Sequence, residues 1–258
     1  MLTDPNFYAI AIPAVMLVGL SKGGLGGAFA LIGVPLLALA VPPMQAAAIF
    51  LPILLVMDAV ALWAWRKHND RATLLALLPG ALIGIALGWA TSRYVSGDAM
   101  RLVLGAISLV FALKYFLERR TVAGDTPAKA TQHRPVAATI WGSFSGYASF
   151  VAHAGGPPFQ IYTLPLKLDP FSYTGASTRY FAILNAIKLI PYFALGELDT
   201  TNLTLSATLL PVALVSTLIG AKLVHTLRPA IFYPLMYGMV LIAGSKLFYD
   251  GAVGILGL

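Results

Sequence analysis

Residues 77–88 read LLPGALIGIALG, and residues 209–220 read LLPVALVSTLIG. Each is an apolar run with proline third and glycine last. The first lies in a stretch, 72–92, without Asp, Glu, Lys or Arg, and the second in another, 200–221. Charge-free tracts of this length suit the roughly 20 apolar residues that cross a bilayer core as a helix. The two runs therefore predict membrane helices and, together, an internal repeat. Pro79 matches Pro211 and Gly88 matches Gly220 at a spacing of 132, which Lys114 and Lys246 keep. Nearer the N-terminus, Gly19 matches Gly146, Pro43 matches Pro170 and Asp58 matches Asn185 at a spacing of 127. A few inserted residues separate the registers. Residues 1–118 form the first half, 119–135 a polar, basic linker, and 136–258 the second half.

Composition agrees. Hydrophobic residues make up 59% and charged residues 10%, against about 25% charged in soluble domains. Mean hydropathy is +0.82. Residues 23–57 and 135–166 are also free of charge. The 24 glycines and 17 prolines are tolerated in membrane helices, where neighbours satisfy freed backbone groups. There is no cysteine, which excludes disulfides and thiolate chemistry. Ten apolar segments follow, near 7–21, 26–41, 44–65, 72–94, 99–117, 136–151, 156–168, 172–196, 203–225 and 230–249. Segments one, two, six and seven are short, since about 14 residues make roughly 21 Å against a ~30 Å hydrocarbon core. The expected fold is an all-α, polytopic transmembrane bundle of about 8–10 segments. Each half has a Gly/Pro-broken pair of short helices and three full spans.

The net charge is +7 with a pI near 9.7. Nucleic acid is the naive reading, but the bases follow topology. One set of loops holds Arg66, Lys67, Arg71, Arg119, Arg120, Lys129, Arg134, Lys167, Lys222 and Arg228; the alternate loops hold Arg93 and Arg101. The positive-inside rule places the first set in the cytoplasm and both termini in the periplasm of an inner-membrane, multi-pass protein. Residues 1–6 lack a basic n-region, so no cleaved signal peptide is read there. The same parity puts matched loops on opposite sides, making the repeats inverted. Secondary transporters are built this way, with the substrate site at the repeat interface.

Two breaks point to that site: residues 21–27, SKGGLGG, and residues 153–158, HAGGPP. Gly23, Gly24, Gly26 and Gly27 end one short helix as another begins; Gly155 and Gly156 do the same, with Pro157 and Pro158 suited to a first helical turn. Helix starts expose N–H groups and partial positive charge, so two facing starts would cradle an anion. Close helix packing through small residues is the alternative. The ionisable residues within apolar segments are Lys22, Asp58, Arg179 and Lys188, and such residues are functional by default. Lys22 either contacts the anion or snorkels. Asp58 either carries a coupling proton or forms a structural ion pair with Lys22 or Lys188. Arg179 is an anion ligand or an interfacial anchor. Asn185 and Lys188 follow it on the same segment. His153 is a second candidate for proton coupling or a structural histidine. Ser21, Ser145, Ser149, Gln160, Tyr162, Thr163 and Tyr180 are polar candidates for lining the site. Trp63, Trp65, Trp89 and Trp141 read as interfacial belt.

GLSKGGLGGAFALIGVPLLAL at 19–39 and AHAGGPPFQIYTLPLKLDP at 152–170 resemble the two signatures of the TauE/SafE family of sulfite exporters, the second being similar to its HxGGPP stretch. The resemblance runs from about Ala9 to Asp250. It implies transport of small sulfur-containing or carboxylate anions, such as sulfite or organosulfonates. Lys22 departs from the family pattern, which often has only small residues there. The expected function is a secondary anion transporter linked to the proton-motive force; the alternative is an uncoupled channel or uniporter. No HExxH or GxSxG motif occurs, so no enzyme activity, metal or cofactor is expected. The expected partners are a small anion and membrane lipid, with a homodimer allowed for and nucleic acid not.

Overall fold

A computed structural model describes residues 4–25, 28–37, 39–41, 43–91, 97–121, 130–152, 154–194 and 199–256. Among these residues there is no strand. The helices are α1 (Pro5–Leu20), α2 (Ala28–Leu37), α3 (Pro43–Ala64), α4 (Arg71–Thr91), α5 (Gly97–Thr121), α6 (Pro135–Ala152), α7 (Gly156–Thr163), α8 (Pro170–Ala194), α9 (Thr200–Thr226) and α10 (Pro229–Leu256). They correspond one by one to the ten apolar segments. Five begin with proline, whose missing N–H costs nothing at a helix start. Asp4 caps α1 by accepting from the Asn6 amide, and Asp199 caps α9 by accepting from the Asn202 amide. Pro79 and Pro211 lie inside α4 and α9.

Four helices among the described residues are long and apolar enough to cross a membrane: Pro5–Gly24, Arg71–Thr91, Thr200–Thr226 and Ala230–Leu256. The 25-residue α8 is as long but carries Arg179, Asn185 and Lys188. At 1.5 Å per residue, α2 and α7 reach only about 15 Å and 12 Å, half or less of the ~30 Å hydrocarbon core. Each packs back on the helix before it, α2 on α1 and α7 on α6.

The chain divides into two compact units. The first comprises Met1–Asp70 and Phe171–Leu227, and the second Arg71–Pro170 and Arg228–Leu258. Each unit draws helices from both halves of the sequence. In the first, α1 runs along α9; in the second, α6 runs along α4. Small residues bring these helices close. A Cβ on Gly19 would lie 1.9 Å from the Ser216 hydroxyl, and one on Gly146 would lie 2.1 Å from the Ala81 carbonyl. The helices α4 and α9 also bury matched positions: Leu77, Ala81, Gly84 and Gly88 on one, Leu209, Ala213, Ser216 and Gly220 on the other. Their outer faces match as well. Leu82, Ile83 and Leu87 stand exposed on α4, and Leu214, Val215 and Ile219 on α9. Continuous apolar surface of this kind suits lipid and not water.

Candidate functional site

The α1 helix does not stop at Leu20. It passes into a kink, Ser21–Leu25, in which Gly24 takes φ 133°, a conformation open to glycine and strained for other residues. The Gly23 carbonyl accepts a 2.9 Å hydrogen bond from Trp65 Nε1. A Cβ on Gly23 would lie 2.4 Å from the Thr217 carbonyl, so the kink is pressed against α9. Trp65 is fully buried, stacked on His225 with centroids 4.6 Å apart. This corrects the belt reading for Trp65: the residue is the stopper of the first break, whereas Trp63 and Trp89 stand exposed.

Lys22 leaves the kink toward α3. Its Nζ lies 2.6 Å from Asp58 Oδ1 and 5.7 Å from the Phe181 ring centroid. The other carboxylate oxygen, Asp58 Oδ2, accepts from Asn185 Nδ2 at 2.6 Å. One turn further along α8, Lys188 is 1% exposed and within electrostatic reach of both Lys22 and Asp58. Lys22, Asp58, Asn185 and Lys188, singled out separately in the sequence, thus form one cluster, with two lysines against one carboxylate. Desolvating such charges costs several kcal/mol per ion, and their attraction repays this only with good geometry. The cluster is therefore weak evidence for stability.

Arg179 is placed differently from the anion contact expected of it. Its terminal nitrogens donate to the carbonyls of Trp65, Arg66, His68 and Gly175, the shortest bond being 2.6 Å to His68. The α3 helix ends at Ala64, and the carbonyls beyond it have no helical partners. Arg179 therefore caps α3 from α8, a tertiary contact that sequence spacing does not reveal.

In the second unit, α6 ends at Ala152. Gly26, Gly27 and His153, all candidates from the sequence, lie outside the described residues. The Ala154 amide donates back to Ala148, and the Gly155 carbonyl accepts from Ser145 Oγ at 2.7 Å. The α7 start is poorer in donors than a generic helix start. Pro157 and Pro158 have no N–H, and the Phe159 amide donates to Gly155, which leaves at most the amides of Gly155 and Gly156. Thr163 Oγ1 donates to the Phe159 carbonyl, and Tyr162 shares a hydrogen bond with His133. Ser21, Ser149 and Tyr180 are buried. Gln160 is 2% exposed, and among the described residues neither its Oε1 nor its Nε2 has a partner. Each unmet buried polar group costs about 1–3 kcal/mol. Among the described residues no three His, Cys, Asp or Glu gather as a metal site would require.

A family model described as "Sulfite exporter TauE/SafE" matches residues 11–247. A protein of Cupriavidus necator named "Probable sulfite/organosulfonate exporter TauE" is 27% identical over 213 residues, covering 80% of this chain and 79% of its own length. No solved structure matches.

Proposed function

Because the chain belongs to the TauE/SafE sulfite exporter family, we propose that it carries small sulfur oxyanions or organosulfonates across the inner membrane, with the anion held at Lys22 and Lys188. The observation that carries this reading is the buried cluster in which Lys22 pairs with Asp58, Asn185 holds the other carboxylate oxygen, and the buried Lys188 lies one turn beyond. The transported anion takes the place of the Asp58 charge. Asp58 is the coupling group. When it takes a proton it releases Lys22, so anion and proton load together and net charge in the cluster is conserved.

The halves act as inverted repeats. The Asp58–Asn185 hydrogen bond supports this, because positions matched at a spacing of 127 touch, as residues beside a two-fold axis do. The recurring glycine seams and lipid faces of α4 and α9 support it too. The asymmetry of basic loops supports both termini outside. A cysteine at Lys67 should therefore resist an impermeant external reagent in intact cells, and its labelling from outside would overturn the orientation.

The test of function uses proteoliposomes holding the full chain. Flux of sulfite and methanesulfonate should saturate and respond to an imposed pH gradient. Lys22→Met and Lys188→Met should each cut anion affinity by more than about tenfold, which is 1.4 kcal/mol. Asp58→Asn should keep exchange and lose gradient-driven flux. Non-saturating flux would mark a channel, and full gradient-driven flux in Asp58→Asn would move the coupling elsewhere.

A further inference from the structure

We propose that the carboxamide of Gln160 is a substrate ligand in the second unit that recognises a singly protonated oxyanion through one donor and one acceptor. Three observations converge. Gln160 is buried with both side-chain polar atoms unpartnered among the described residues, while Ser145 and Thr163 nearby in sequence are satisfied by carbonyls. Helical side chains lean toward the N-terminus of their helix, and Gln160 follows Gly156, the first residue of α7, by four positions. The first turn of α7 is poor in donors, since Pro157 and Pro158 have no N–H, and among the described residues of α7 all but Gly156 are buried. The amide supplies the donor that the prolines remove.

An amide offers an N–H and a carbonyl side by side and no charge. Its complement is a group presenting an acceptor oxygen next to an O–H. Hydrogen sulfite in its hydroxyl form does so: one S–O oxygen accepts from Nε2 and the S–OH donates to Oε1. Fully ionised sulfite, or the sulfonate group of an organosulfonate, leaves Oε1 unmet. A site built to hydrogen-bond a hydroxyl rejects the analogue lacking it far more strongly than an apolar pocket rejects size. Gln160 therefore sets a preference for the protonated anion. This rests on the anion-transport reading above.

The experiment is calorimetric titration of the purified full chain and of Gln160→Leu and Gln160→Met with sulfite, under conditions where hydrogen sulfite dominates, and with methanesulfonate. Both substitutions remove unmet polar atoms at similar volume, so each variant should melt at or above the wild-type temperature without ligand. The expected result is a loss of about tenfold or more in hydrogen sulfite affinity and a smaller change for methanesulfonate. Equal losses for both anions would overturn the preference for the protonated form. Unchanged affinity for both, with raised melting temperatures, would overturn the ligand role. A wild-type chain that binds neither anion would bring down the transport reading itself, and with it this one.

Discussion

At the first glycine break, Lys22 is tied to Asp58 at 2.6 Å, a positive-φ Gly24 bends the chain, and Trp65 closes over the Gly23 carbonyl. At the second, the described residues carry no formal charge: Ser145 holds the Gly155 carbonyl, prolines replace backbone donors, and Gln160 stands buried and unmet. The two breaks fall in corresponding parts of the two halves, yet one is organised by charge and the other by neutral hydrogen bonding. Charge gives reach and strength; a neutral fork gives discrimination between anions of similar size.

The sharpest way to break this contrast is to remove the shared counter-charge. Asp58→Leu leaves Lys22 and Lys188 buried without a carboxylate and should cost about 3–5 kcal/mol, read by unfolding in detergent. Adding Lys22→Met should recover part of that loss. If Asp58→Leu is no worse than the second-break substitution Ser145→Ala, the first break is not held by charge.

Next come the seams. Gly146→Leu forces a side chain against the Ala81 backbone carbonyl, which cannot rotate away, and should cost up to about 3 kcal/mol. Gly19→Ala adds a single methyl, 1.9 Å from the Ser216 hydroxyl and 2.7 Å from its Cβ, and as the smaller side chain should cost less. Equal costs would mean both seams yield by shifting whole helices. Arg179→Lys keeps the charge but loses the fork over the carbonyls that follow α3. It should cost about 1.5 kcal/mol in melting stability while leaving anion affinity within about twofold. A selective loss of affinity would return Arg179 to the anion site. The smallest effects should be Trp65→Phe and Ser145→Ala, each deleting one buried hydrogen bond to a break carbonyl at about 1 kcal/mol. Trp63→Phe, on an exposed ring, should be silent. A much larger loss for Trp65→Phe would show that ring packing, and not the hydrogen bond, closes the first break.

Sequence determined the helices of this protein. In lipid the backbone has to satisfy itself, so an apolar run of sufficient length becomes a helix with little reference to its neighbours, and α1–α10 follow the ten segments closely. Proline starts and the matched Pro79 and Pro211 were legible for the same local reason. The breaks were legible because glycine and proline act on their own backbone. The pairing of Lys22 with Asp58 was one of two alternatives the residues left open; the Asp58–Asn185 contact decided where both side chains turn. Trp65 sits beside the basic loop residues Arg66 and Lys67, and in sequence such a neighbour looks interfacial. Burial of Trp65 against His225, and the fork of Arg179 over the carbonyls that follow α3, depend on α3, α8 and α9 meeting. Gln160 shows the limit most clearly. Its amide has the same composition whether satisfied or not, and only the packing of α7 among its neighbours decides that both its polar atoms are left unmet, because hydrogen-bond satisfaction belongs to the partners and not to the residue.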